Sequence, residues 1–300
     1  MIDRTAPRWQ PYLLLALANL FWGGNWVLGR AMRDAFDPIT LNFWRWTIAA
    51  LALAPFALPQ LAGKAPLLRR HGLLLLALAL TGVVLFQSFV YQGLQSTTTV
   101  NAVLLNSAGP LFMVLCSWTI ERESPSPGQI VGMLVSFAGV AIILSRGDVA
   151  NLEQLRFHAG DVWILLAMPM WGIYSVLLKR WPGELGGTGF LLALAGAGLP
   201  ILLPAMALEI MVGTPKPVTA PALAGLVYVA LFASVGAFIC WNRGVAAVGA
   251  NTAGFTMPLL PAFGTVLAIL FLGEEVRGYH AAGIATILIG VFLATRPRAP

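Results

Sequence analysis

The sequence predicts an all-α polytopic membrane protein, with ten transmembrane helices arranged as two inverted five-helix repeats. Composition is the first ground: 58% of the 300 residues are hydrophobic and 10% are charged, with a mean hydropathy of +0.81. A water-soluble domain carries roughly a quarter charged residues. Segmentation is the second. Apolar runs separated by short polar joints recur along the whole chain, each near the ~20 residues that span a bilayer as a helix. The third is a repeat. Shifted by 151 positions, Gly93 falls on Gly244, Ala102 on Ala253, Pro110 on Pro261, Phe112 on Phe263, Glu123 on Glu274, Gly132 on Gly283, Gly139 on Gly290 and Val140 on Val291. These identities are few, but they include the backbone-breaking residues and a shared acid in one ungapped register. A weaker echo at a shift of 149 sets Trp22-Gly23 on Trp171-Gly172, Val27 on Val176 and Arg30 on Lys179.

In chain order the runs fall at 12–32, 38–59, 72–93, 98–119 and 126–145, then 159–180, 188–211, 220–242, 251–272 and 277–295. Lipid supplies no water to unpaired backbone groups, so spans this long must be helical, and glycine and proline inside them are tolerated. The first run is long enough to span and reads as a helix, not a cleaved leader. The two repeats therefore occupy 12–145 and 159–295. Each holds an odd number of spans, so the second copy enters from the opposite face, as in many secondary transporters.

The basic residues set the orientation. With an even number of spans, Arg4, Arg8, Lys64, Arg69, Arg70, Arg122, Lys179, Arg180, Arg243, Arg296 and Arg298 share one side. Arg30, Arg33, Arg146, Arg156, Lys216 and Arg277 take the other, which puts both termini in the cytoplasm. The net charge of +6 belongs to these loops, and no nucleic-acid partner is expected. No cofactor or metal is expected either. His71, His158 and His280 stand apart, Cys116 and Cys240 lack ligand spacing, and no glycine-rich loop ends in Lys-Ser/Thr. A catalytic constellation is absent from the sequence, which argues against an enzyme.

The repeated pieces resemble the EamA-type members of the drug/metabolite transporter superfamily. The resemblance rests on Trp22-Gly23-Gly24-Asn25 with Val27, on Arg45, and on Asn101-Ala102 ahead of Pro110. Glu123 nine residues before Gly132 extends it, and the second copy adds Trp241-Asn242-Arg243, Pro261 and Phe271-Leu272-Gly273-Glu274 before Gly283. Length and tryptophan content are similar to the YddG-type exporters of amino acids, aromatic ones included. Two departures stand out: Arg122 sits where the family often has glycine, and Leu194 replaces a counterpart of Arg45. The resemblance implies a multi-pass protein of the bacterial inner membrane whose spans 1, 3, 4, 6, 8 and 9 line a central cavity.

Candidate substrate-binding residues follow from chemistry on those spans. Gln87 and Tyr91 lie one helical turn apart, Asn101 and Asn106 lie on span 4, and Asn25 lies on span 1. Buried amides cost free energy unless paired, so they should face other helices or a watery cavity. Amides suit a zwitterion's ammonium and carboxylate; interhelical contacts are the plainer reading. Trp22, Phe86, Trp163, Trp171 and Tyr174 supply aromatic wall, with Phe238 and Trp241 near them. Trp163 and Trp241, toward opposite faces, also fit an interfacial belt. Pro110 and Pro261 would free the carbonyls of Asn106 and Met257 or merely kink their helices.

Arg45 is the one cation inside a span. It reads as a counter-charge for a substrate carboxylate, or as a side chain that snorkels outward or pairs with Asp34 or Asp37; the peripheral second helix of the family favours the latter. The acids all fall in loops or near span ends, which favours uniport over proton or sodium coupling. Glycines at seven-residue spacing, Gly132 with Gly139 and Gly283 with Gly290, predict close packing that joins the halves in a monomer, or else a dimer contact. The expected function is export of neutral and aromatic amino acids by alternating access. A carrier of phosphorylated or nucleotide-linked solutes is the alternative, and it would need a basic cluster at mid-depth.

Overall fold

The computed structural model describes residues 9–148, 158–272 and 277–295. Arg4, Arg8, Glu153, Arg156, Glu274, Glu275, Arg296 and Arg298 lie outside the described residues. The described chain is helix after helix: α1 (Gln10–Ala31), α2 (Pro38–Leu61), α3 (Gly72–Ser96), α4 (Thr99–Asn106), α5 (Gly109–Glu121) and α6 (Pro127–Leu144). Then follow α7 (Ala159–Leu178), α8 (Gly187–Val212), α9 (Ala220–Val248), α10 (Ala250–Gly254), α11 (Leu259–Leu272) and α12 (Gly278–Thr295). Among the described residues, seven helices are long and apolar enough to cross a bilayer: α1, α2, α3, α7, α8, α9 and α12. A short helix, Ala65–Arg70, leads into α3.

Starts and stops follow local chemistry. Prolines open α1, α2, α5 and α6, where a missing N–H costs nothing. Ser126 and Gln129 close a reciprocal cap on α6. Arg122 ends α5 at a φ of 59°, and Gly249 ends α9 at 85°.

The spans predicted at 98–119 and 251–272 are each broken in two. Residues 107–108 separate α4 from α5, and 255–258 separate α10 from α11. Pro110 therefore sits at the start of a new helix and not as a kink in a continuous one. The Met257 carbonyl, expected to be freed by Pro261, accepts from the Leu260 N–H at 2.9 Å across the break.

Two helices carry a feature invisible in the sequence. Ala79–Leu85 within α3 and Val229–Gly236 within α9, positions equivalent in the repeat, are π-helical. Such wide turns loosen the i→i−4 ladder and leave carbonyls for other donors. The donors arrive: Asn42 Nδ2 reaches the Val83 and Val84 carbonyls at 2.9 and 3.3 Å, and Trp22 Nε1 reaches the Ala233 carbonyl at 3.0 Å.

Equivalent helices of the two copies meet head to tail. A Cβ on Gly139 would lie 2.8 Å from the Gly283 carbonyl oxygen, and one on Gly132 2.5 Å from that of Gly290. Residue numbers rise on α6 as they fall on α12, so the two run antiparallel. Thr40 with Glu209 at 2.8 Å and Gln60 with Thr188 at 2.7 Å show the same for α2 and α8. The glycine stripes thus face each other within one chain, which takes that surface away from a second copy.

Gly290→Ala puts its new carbon 2.5 Å from the Ser136 nitrogen and 2.6 Å from the Gly132 oxygen, both backbone atoms that cannot swing aside. The expected cost is about 1–3 kcal/mol of overpacking, read as a lower melting temperature of the purified protein. An unchanged melting temperature would mean the helices do not approach this closely.

Candidate functional site

Between the two copies, α1, α3, α4, α7 and the α10–α11 break line a small cavity. Asn19, Trp22, Asn25 and Trp26 line it from α1, with Phe86, Gln87 and Val90 from α3. Asn106 closes α4 onto it, Trp171 enters from α7, and Met257 and Leu260 come from the break and the start of α11. Its volume is about 20 Å³, room for roughly one water molecule. The walls are aromatic and amide. Trp22 and its repeat counterpart Trp171 meet edge to face with ring centroids 5.0 Å apart, and Phe86 and Trp241 approach Trp171 at 4.8 and 5.4 Å. Two amide atoms on this wall, Asn19 Oδ1 and Asn106 Nδ2, are buried with no hydrogen-bond partner.

Of the predicted site residues, Trp22, Asn25, Phe86, Gln87, Asn106 and Trp171 come together here. Tyr91 and Tyr174 stand one layer back. The Tyr91 hydroxyl donates to Asn25 Oδ1 at 2.8 Å, and Tyr174 stacks on Trp171 while donating to Asn242 Oδ1 at 2.8 Å. Asn101 and Trp163 are elsewhere. Asn101 Nδ2 donates to Asp161 Oδ2 at 3.1 Å, and Trp163 is 37% exposed against Phe89 on the outer surface. Trp241, whose position also fitted a belt, is fully buried and donates to Ser175 Oγ at 3.1 Å.

Sequence reasoning missed Asn19, Trp26, Val90 and Leu260 as wall residues. Asn19 carried a signal: it is an amide in an apolar span, like Asn25 and Gln87. Val90 and Leu260 carried none, because an apolar side chain facing a cavity is the same residue type as one facing the core.

Arg45 overturns its expectation. It neither snorkels nor meets Asp34 or Asp37. The guanidinium is wholly buried, with Nε on Ser234 Oγ at 2.7 Å and Nη1 on Gln87 Oε1 and the Tyr91 hydroxyl, both at 2.7 Å. Asn25 Oδ1 lies at 3.4 Å. The rings of Tyr91 and Trp46 also flank the cation, their centroids 5.7 and 5.9 Å from it. Snorkelling was expected from the distance of Arg45 to a membrane face and from the peripheral place of α2 in the family. The π turn in α9 offers Ser234, and that draws the side chain inward.

Both ends of α7 are fastened to the first copy. At its start, buried Asp161 accepts from the Thr97 hydroxyl, from Asn101 and from the His158 N–H at 2.8 Å. A Cβ on Gly160 would collide with the Gly93 carbonyl oxygen, so the α3 and α7 backbones pack tightly here. At its far end Lys179 meets Glu123 at 2.8 Å and Arg180 meets Glu121 at 2.7 Å. Trp171, which lines the cavity from the middle of α7, stands between these two fastened ends.

A multi-pass membrane protein built from two copies of one helical unit, with an amide-and-indole chamber between them, has the build of a solute transporter. The chain belongs to the EamA-like transporter family, which matches residues 9–145 and 158–296. It is 29% identical to an uncharacterized transporter of Archaeoglobus fulgidus, over 95% of this chain and 96% of that one. It is 28% identical to a probable terminal-alkyne amino-acid exporter of Streptantibioticus cattleyicolor, over 94% and 92%. A solved structure aligns with a TM-score of 0.75 over 96% of this chain and 97% of its own, at 20% identity, which shows a shared fold.

Asp161→Ala strands the Thr97 and Asn101 donors and the His158 N–H. The expected loss is about 1–3 kcal/mol, seen as a lower melting temperature, with Asp161→Asn losing less because one acceptor oxygen remains. Equal melting of Asp161→Ala and wild type would contradict a fastening role.

Proposed function

We propose that the protein exports neutral and aromatic amino acids across the inner membrane of a bacterium by alternating access, as a uniporter. The observation that carries this is the small cavity between the two copies, walled by amides and indoles, with α7 fastened to the first copy on either side of it. Transporters built from inverted repeats place the solute site between the halves, and this cavity of about 20 Å³ would have to widen to admit an amino acid. Amides pair with both ends of a zwitterion without fixing a net charge, and aromatic walls favour an apolar or aromatic side chain. The name of the Streptantibioticus cattleyicolor relative, a probable amino-acid exporter, supports the same substrate class.

In this reading α4 with α5, and α10 with α11, each make one broken span, giving ten spans in two inverted halves, 12–145 and 159–295. The head-to-tail contacts of α6 with α12 and of α2 with α8 support the inversion. Both termini then lie in the cytoplasm with the Lys179–Glu123 and Arg180–Glu121 pairs. The Asp161 cluster closes the opposite side. Broken helices at the chamber suit the motion, because a short helix can tilt without dragging a full span.

A second reading has one specific observation behind it. Asp161 is a buried carboxylate within a span, 3.9 Å from His158, and an ionisable residue at membrane depth marks an ion or proton pathway in many carriers.

Protein reconstituted in liposomes is expected to pass labelled L-phenylalanine or L-leucine down its own gradient with no ion gradient imposed. Trp171→Ala should cut that flux about tenfold or more by removing one wall of the chamber. Flux that appears only under an imposed pH gradient, and is lost in Asp161→Asn, would replace uniport with proton coupling. No flux of any amino acid would end the exporter reading.

A further inference from the structure

We propose that the chamber is a carboxylate site whose positive charge is delivered by Arg45 through Asn25 and Gln87. This rests on the transport reading for its location, and it names the part of the substrate that is gripped. Arginine keeps its charge in essentially any protein setting, and a buried charge without an ionic partner costs several kcal/mol. The partners of Arg45 are all neutral: Ser234, Gln87, Tyr91 and Asn25. Among the described residues no carboxylate pairs with it. Its Nη2 is buried with no partner at all. The protein has placed a cation behind the chamber wall and has left its counter-charge to come from outside.

The wiring of the amides says how that charge is felt. Gln87 gives its oxygen to Arg45, and Asn25 gives its oxygen to Tyr91 and Arg45. An amide has one oxygen and one NH2 group, so in both residues the NH2 is the end left for the chamber they line. Each NH2 is polarised by the cation behind it, because hydrogen bonds in a chain strengthen one another. Asn106 Nδ2 adds a third donor without a partner.

The acceptor side is sparse and separate. Asn19 commits its NH2 to the Leu15 carbonyl at 2.8 Å and to Thr256 Oγ1 at 3.2 Å, which turns Oδ1 to be the unpartnered atom. Three donors, two of them backed by a cation, suit a carboxylate. One acceptor, with Trp22 and Trp171 nearby, suits an ammonium. Arg45 is a positioning residue here: it holds two oxygens so that two NH2 groups face the solute.

The test compares four probes on the purified protein by thermal stabilisation: L-phenylalanine, 3-phenylpropionate (carboxylate without amine), phenethylamine (amine without carboxylate) and phenylalaninamide. The two carboxylates are expected to stabilise at concentrations at least about tenfold lower than the other two, the size of a charge-assisted hydrogen bond. Arg45→Lys should keep that order at weaker affinity, and Arg45→Gln should erase it. Gln87→Leu, which removes one relay and leaves Arg45 in place, should narrow the gap if Arg45→Gln does not fold. Equal stabilisation by phenethylamine and 3-phenylpropionate, or stabilisation by none of the four, overturns the inference. Binding of 3-phenylpropionate without phenylalanine flux in liposomes would remove the exporter reading and keep this one. Phenylalanine flux inhibited equally by phenethylamine would do the reverse.

Discussion

Most of the architecture turns on how the polar face of α2 is accommodated. Asn42 and Arg45, one turn apart, carry an amide and a cation into a region with no bulk water. Each has to find partners there or cost several kcal/mol. Both find them at the π-helical stretches: Asn42 at the carbonyls of Val83 and Val84 in α3, and Arg45 at Ser234 in α9. One short segment of α2 thereby ties α3 to α9, which are counterparts in the two copies. Through Asn25 and Tyr91 the same network reaches α1. Removing any member leaves a buried polar group elsewhere, so the chamber wall and the join between the copies are set by one hydrogen-bonded unit.

The remaining contacts between copies follow the repeat itself. Interdigitated glycines on α6 and α12 let two backbones approach as closely as membrane helices can, where packing rather than hydrophobicity drives association. Trp22 against Trp171 is the same logic at the centre, a residue meeting its own counterpart. At the rim the two ends of α7 differ in chemistry. Ion pairs near Lys179 are partly exposed and individually weak, whereas Asp161 is buried and fully engaged. The two fastenings are therefore unequal, the one at Lys179 being the weaker.

The class of fold and the existence of two copies are legible in the sequence because both are written in coarse features, apolar run length and shared glycine and proline positions. Trp22, Asn25, Gln87, Asn106 and Trp171 are legible as wall residues because an amide or indole N–H inside an apolar span must face a partner or a cavity. The π turns are not legible, since the stretches ALTGVVL and VALFASVG hold nothing that distinguishes them from ordinary apolar helix. What depends on those turns is hidden with them: the inward course of Arg45, and the role of Asn42. The helix breaks are half legible. Pro110 and Pro261 mark the neighbourhood, but proline at the start of a new helix and proline within a kinked one look alike in sequence.

The proposed transport cycle opens the chamber between the two head-to-tail copies to one side at a time, and paired distance measurements test it most directly. Spin labels at Thr98 and Val162 would report the end of α7 held by Asp161, and labels at Ser124 and Pro182 the end held by Lys179. Pulsed dipolar spectroscopy in lipid, with and without L-phenylalanine, is predicted to show each pair in a short and a long state, with the long states never populated together. Both pairs lengthening in the same molecules, or neither ever leaving its short distance, would contradict alternating access through this chamber.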